Sequence, residues 1–170
     1  MVYYITNRFK IRFSRNIVIK NTEKAIILGS DHAGFTMKEH IKAELIKRGF
    51  DVTDVGTHTT EPVDYPRFAA KVAHGVQSGT FSRGIAVCGA GIGASITANR
   101  FKGVRAALCI TPEMAKLSRQ HNNANVLVIG GRITTPETVN QILEAWLTTD
   151  FEGGRHERRV TMIDEVTTQP

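Results

Sequence analysis

Only two cysteines, Cys88 and Cys109, occur in the 170 residues, too few for a disulfide framework. A reducing compartment, the cytoplasm, is therefore expected. No apolar run approaches the roughly 20 residues a membrane span requires, so no membrane association is expected. Internal repeats and low-complexity tracts are absent as well. A concentrated charge of one sign is missing from most of the chain, although the formal net charge is +6. Residues 1–23 hold Arg8, Lys10, Arg12, Arg15 and Lys20 against Glu23 alone, leaving the remainder nearly balanced. A nucleic-acid binder carries a concentrated basic face, so no nucleic-acid partner is expected.

What is present is the composition of one soluble domain. Hydrophobic residues make up 41% of the chain, enough at this length to bury a real core. Residues 1–23 read as a basic amino-terminal extension and 24–170 as the functional domain. The extension lacks the apolar core of a secretory signal and the serines of a transit peptide. Tyr3-Tyr4-Ile5 and Ile17-Val18-Ile19 favour strands, so it reads as a short β-rich arm.

From Lys24 onward, apolar runs alternate with helical patterns. Strands are expected at 25–28, 52–55, 84–87, 104–110 and 125–129. Helices are expected at 34–48, 68–77, 94–101, from about Pro112, at 136–147 and at 156–166. Continuous apolar strands alternating with helices predict an α/β fold, a doubly wound five-stranded parallel sheet with a C-terminal helix. Such sheets bind ligands beyond the carboxyl ends of their strands. That rule gathers Ser30-Asp31-His32, Cys88–Gly93 and the Gly130-Gly131-Arg132 turn along one edge. Cys109 reads as a buried structural thiol and Trp146 as core.

The densest chemistry is Cys88-Gly89-Ala90-Gly91-Ile92-Gly93 at the end of an apolar strand. Glycine permits backbone angles and approaches that side chains forbid, so the turn offers bare N–H groups to an anion. A cysteine at its lip sets a proton acceptor or nucleophile beside stabilised negative charge. The stretch also touches the dinucleotide-binding pattern, but its glycine spacing fits loosely and it follows the third strand. The next strand ends in Cys109-Ile110-Thr111, without the acid that holds a ribose hydroxyl. Other groups admit two readings. Asp31 is either a helix cap or a site acid beside His32. Arg119-Gln120-His121-Asn122 is either a polar helix end or a functional cluster. Arg155 and Arg159, one turn apart, either form a solvated basic face or clamp a phosphate.

Taken together, Gly29-Ser-Asp31-His32-Ala-Gly34, Asp64-Tyr65-Pro66, Cys88–Gly93, Ala98-Asn99-Arg100, Ser118–Asn122 and Glu152–His156 resemble the type B ribose-5-phosphate isomerases. The likeness spans about residues 24–166. It implies a Rossmann-like three-layer α/β/α fold and interconversion of ribose 5-phosphate and ribulose 5-phosphate through an enediolate, in the pentose phosphate pathway. It implies Cys88 as catalytic base and the amides of Gly89, Ala90, Gly91, Ile92 and Gly93 as the anion hole. His121, with Asp31 nearby, matches the acid/base group for ring opening, and Tyr65 and Asn122 match substrate contacts. His32, Arg132, Arg155 and Arg159 match the phosphate-binding set. No metal or organic cofactor is implied, and the partners are a sugar phosphate and a second copy of the chain, in a homodimer or tetramer with shared sites. One position departs: many relatives carry Thr or Ser where this chain has Ala90, which leaves open another sugar phosphate of four or six carbons. A non-catalytic sugar-phosphate or nucleotide-binding module is the alternative from a different class.

Overall fold

A computed structural model of the chain describes residues 24–166. The basic extension with its strand-favouring stretches, and residues 167–170, lie outside the described residues. Five parallel strands form one sheet: β1 (Ala25–Ser30), β2 (Asp51–Asp54), β3 (Arg83–Cys88), β4 (Ala106–Leu108) and β5 (Val126–Gly130). Their order is β2-β1-β3-β5-β4, so the chain reverses direction across the sheet between β1 and β3. The helices are α1 (Phe35–Lys47), α2 (Tyr65–Gln77), α3 (Ile92–Ala98), α4 (Pro112–Asn122), α5 (Pro136–Thr148) and α6 (Arg155–Glu165).

The three central strands are apolar over residues 25–28, 84–87 and 126–129 because both of their faces are covered. Ile26, Leu28, Ile85, Val87, Leu127 and Ile129 pack on one face with α1, α4 and α5, around the fully buried Trp146. Ile27, Ala86, Val126 and Val128 pack on the other face with α2 and α3. The result is the expected three-layer α/β/α arrangement. Each fully buried aliphatic side chain contributes about 1.5–3 kcal/mol. Among the described residues, no helix is long and apolar enough to cross a membrane.

Several boundaries differ from the sequence expectation. Helix α2 begins at Tyr65 rather than Phe68, because Pro66 sits in the first turn, where its missing N–H is not needed. Strand β2 is shifted one residue earlier, and β4 contracts from 104–110 to three residues. Helix α3 covers Ile92–Ala98 instead of 94–101. Asn99 accounts for its early end: Nδ2 donates to the Ala106 carbonyl at 2.9 Å, and Oδ1 accepts from the Ala106 N–H at 2.8 Å. Those backbone groups face away from β5, so one amide side chain covers the open edge of β4.

Candidate active site

The carboxyl end of β1 is drawn against β3 by Gly34. A Cβ there would lie 2.9 Å from the Val87 backbone, so a larger residue would force the turn off the strand. Asp31, which precedes this turn, is buried, and its Oδ1 accepts from the Gly34 N–H at 2.9 Å. The capping reading of Asp31 is therefore satisfied. His32 follows, with Nδ1 3.1 Å from both the N and the O of Val63. Whichever it engages, Nε2 is the nitrogen left to meet a ligand.

Cys88 ends β3, and its buried Sγ accepts from the Gly91 N–H at 3.1 Å. Gly91 has φ +79°, and a Cβ there would come within 2.4 Å of Leu108 Cδ1. Only glycine allows this turn to curl back over the sulfur. The exit of β5 wraps the same turn: the N–H of Gly131 donates to the Cys88 carbonyl at 2.8 Å, and that of Arg132 to the Gly89 carbonyl at 3.0 Å. Arg132 Cδ then lies 3.7 Å from where a Gly89 side chain would begin. Tyr65, at the start of α2, lays its ring on Gly93, where a Cβ would fall 2.5 Å from the ring carbons. Asp31, His32, Tyr65, Cys88, the Gly89–Gly93 turn and Arg132 thus share the carboxyl edge of the sheet, with Ala90 and Ile92 exposed.

The remaining predicted residues gather elsewhere. Helix α4 runs back from the exit of β4 to the entrance of β5, so His121 and Asn122 lie at the opposite edge. From Gly84 to Cys88 the sheet extends about 13 Å along the strands. Within one chain Asp31 and His121 are therefore apart, and their expected proximity can hold only between two copies. The His121 ring stacks on His156, with centroids 4.2 Å apart and planes 5° from parallel. Glu152 Oε2 lies 3.8 Å from His121 Nε2 and 3.7 Å from His156 Nε2. Arg155 Nε donates to His156 Nε2 at 3.3 Å, and Arg159 is exposed one turn on. Burial, then the neighbouring His121 and Arg155, lower His156 from its ordinary value, with Glu152 opposing. Asn122 opens onto a groove shared with Asn99, Arg105 and Ile163.

Glu152 and His156 were not assigned roles from sequence, although they lie four residues apart at the start of α6. His121, Glu152 and His156 bring ligand atoms within 4.8 Å of one another, the group among the described residues that could hold a metal ion. Nitrogen lone pairs lie in their ring planes, so two parallel rings would have to rotate before both could reach one ion. Cys109 matches its structural reading: burial pushes its thiol up to about 11, against a hydrogen bond from Ser118.

Residues 26–163 match the model of a family described as Ribose/Galactose Isomerase. Over 143 residues the chain is 47% identical to ribose-5-phosphate isomerase B of Escherichia coli, covering 84% of this chain and 96% of the relative. The solved ribose-5-phosphate isomerase B of Clostridium thermocellum superposes with a TM-score of 0.84 at 47% identity, covering 85% of this chain and 97% of that one. That of Mycoplasma genitalium, solved with bound ribulose 5-phosphate, gives 0.82 at 39% identity, covering 86% and 97%.

Proposed function

The chain belongs to the ribose/galactose isomerase family, and from that premise we propose that it interconverts D-ribose 5-phosphate and D-ribulose 5-phosphate. The observation that carries the chemistry is Cys88, its sulfur held 3.1 Å from the Gly91 N–H at the mouth of the glycine turn. A base thus stands beside amides able to receive a developing oxyanion, with His32 and Arg132 at the same edge for a phosphate.

In the forward direction, the furanose ring opens as a proton moves between the ring oxygen, the anomeric hydroxyl and His121. The Cys88 thiolate takes the proton from C2, the electrons pass to O1, and the enediolate oxygens accept hydrogen bonds from the turn. The proton then returns to C1 while the proton of the C2 hydroxyl passes to O1, leaving the C2 oxygen as the ketone. Tyr65 and Asn122 contact the sugar hydroxyls. His32, Arg132, Arg155 and Arg159 bind the phosphate as charge-assisted donors.

His121, Asn122, Arg155 and Arg159 come to the Cys88 site from a second copy of the chain. Two features support this: the single chain separates them from Cys88 by the depth of the sheet, and α3 presents Ile92 and Ile96 to solvent, each more than half exposed, directly beside the Cys88 turn. A two-fold dimer closes both faces at once. Residues 24–170 form the isomerase domain, working in the cytoplasm within the pentose phosphate pathway, where the thiol that acts as base stays reduced.

Subunit mixing tests the scheme. Cys88→Ala and His121→Asn are each expected to be inactive as homodimers. Unfolded and refolded together, they should recover about a quarter of the wild-type rate, because half of the dimers are hybrids with one intact site. No recovery would reject the shared site. A six-carbon sugar phosphate turned over faster than ribose 5-phosphate would instead trace specificity to Ala90, which leaves the exposed lip of the turn without a hydroxyl.

A further inference from the structure

A second polar site lies at the amino-terminal edge of the sheet, away from Cys88. A cavity of about 650 Å³ opens there among the residues that lead into the strands. Lys24 precedes β1, Arg83 opens β3, Arg105 precedes β4 and Asn125 precedes β5; Arg119 of α4 and Asp150 also line the cavity. Four cations thus face one carboxylate in the lining, and Asp164 of α6 meets Arg105 at 3.0 Å.

Arg119 is 8% exposed, an unusual position for a guanidinium. Three of its donors are used: Nε on the Thr149 carbonyl at 3.3 Å, and Nη1 on Asn123 Oδ1 at 3.2 Å and the Ala124 carbonyl at 2.6 Å. Its Nη2 group makes no hydrogen bond among the described residues. Arg83 and Arg119 both stand over the indole of Trp146, at 5.5 and 5.9 Å from the ring, so one aromatic side chain keeps two guanidiniums near each other. Burial and then Arg83, with Asp150 opposing and Arg105 adding, push Arg119 down to about 10, which still leaves it charged at pH 7. Of the four cations only Arg119 is buried, and the half-buried Arg83 and Arg105 and the exposed Lys24 gather further positive charge around it, which an anion would answer.

We propose that this cavity binds a small anion carrying two or more phosphate groups. One phosphate engages an arginine fork or two, whereas four cations around one cavity match a longer chain of charge. The volume lies in the range of about 300–1,000 Å³ typical of small-molecule sites. From Arg83 to Cys88 the distance along β3 is about 17 Å, so the site is separate from the glycine turn of its own chain. Arg119 stands two residues before His121, and an occupant therefore grips the last turn of α4.

Calorimetric titration of the full chain with inorganic pyrophosphate tests this without any turnover measurement, so the outcome is independent of the sugar assignment. Saturable binding is expected, weakened about tenfold or more by Lys24→Glu and by Arg83→Gln, as loss of a charge-assisted contact requires. Arg132→Gln weakens the phosphate contact at the other edge and serves as the background: the binding that Lys24→Glu and Arg83→Gln weaken should persist in it, and circular dichroism checks that each variant is folded. Absence of binding by the folded wild-type protein would overturn the proposal. Binding lost in Arg132→Gln but kept in both Lys24→Glu and Arg83→Gln would also overturn it, by locating the anion at the Cys88 edge.

Discussion

Cys88 and Cys109 show how surroundings divide one residue type into two roles. Cys109 is enclosed by apolar side chains that hold its thiol protonated, while Cys88 lies at a strand end beneath a turn of bare amides. Iodoacetamide at pH 8 is expected to modify Cys88 well before Cys109, read by peptide mass mapping, and ribose 5-phosphate should slow it. Cys88→Ser should keep the fold and lower kcat by about 10²–10⁴-fold, the usual contribution of a positioned base. Gly93 tests the neighbouring contact. Gly93→Ala drives a methyl into the Tyr65 ring, so the ring must swing away; KM for the sugar phosphate should rise, with a stability loss of about 1–3 kcal/mol in urea titration. These residues were legible in the sequence because glycine spacing dictates backbone geometry locally. The pairing of Tyr65 with Gly93 was not, since it joins residues of two different elements.

At the scale of elements, α1 and β2 are joined through Lys38. Its side chain is fully buried, and Nζ meets Asp54 Oδ2 at 2.5 Å and also Glu39. Burial pushes the Asp54 carboxyl up, but hydrogen bonds from Lys38, the Gly56 amide and Lys42 outweigh it and hold it below the ordinary carboxylate value. A carboxyl depressed in the folded state adds stability above its unfolded value, near 3.8, and that share disappears as pH falls through the folded value. Urea midpoints should therefore drop below about pH 4. Lys38→Met should cost about 2–4 kcal/mol at pH 7 and flatten that acid limb, since a buried carboxylate loses its main partner. Element existence and order were readable from the alternation of apolar runs and helical patterns. The ends were not: the start of α2 depends on Pro66 fitting a first turn, and the end of α3 on Asn99 capturing the Ala106 backbone.

For the whole molecule, the decisive feature is that one chain carries the two halves of the proposed catalytic set on opposite edges of the sheet. Ile92→Lys with Ile96→Lys is expected to shift the mass in light scattering toward the monomer and to abolish turnover together, while circular dichroism stays unchanged. Removing residues 1–23 should leave turnover intact, since the family match begins at residue 26. The sequence alone determined the α/β alternation, the parallel sheet and the thiol-plus-glycine turn, because hydrophobic period and glycine placement act within a few residues. It also carried every residue of the proposed catalytic set, in order. Tertiary structure decided which of them meet: α4 must run antiparallel to the strands to connect β4 with β5, and that geometry takes His121 away from Cys88. It likewise set Arg83, Arg105 and Arg119, scattered along the chain, around one cavity, because strand entrances converge only after the sheet has formed.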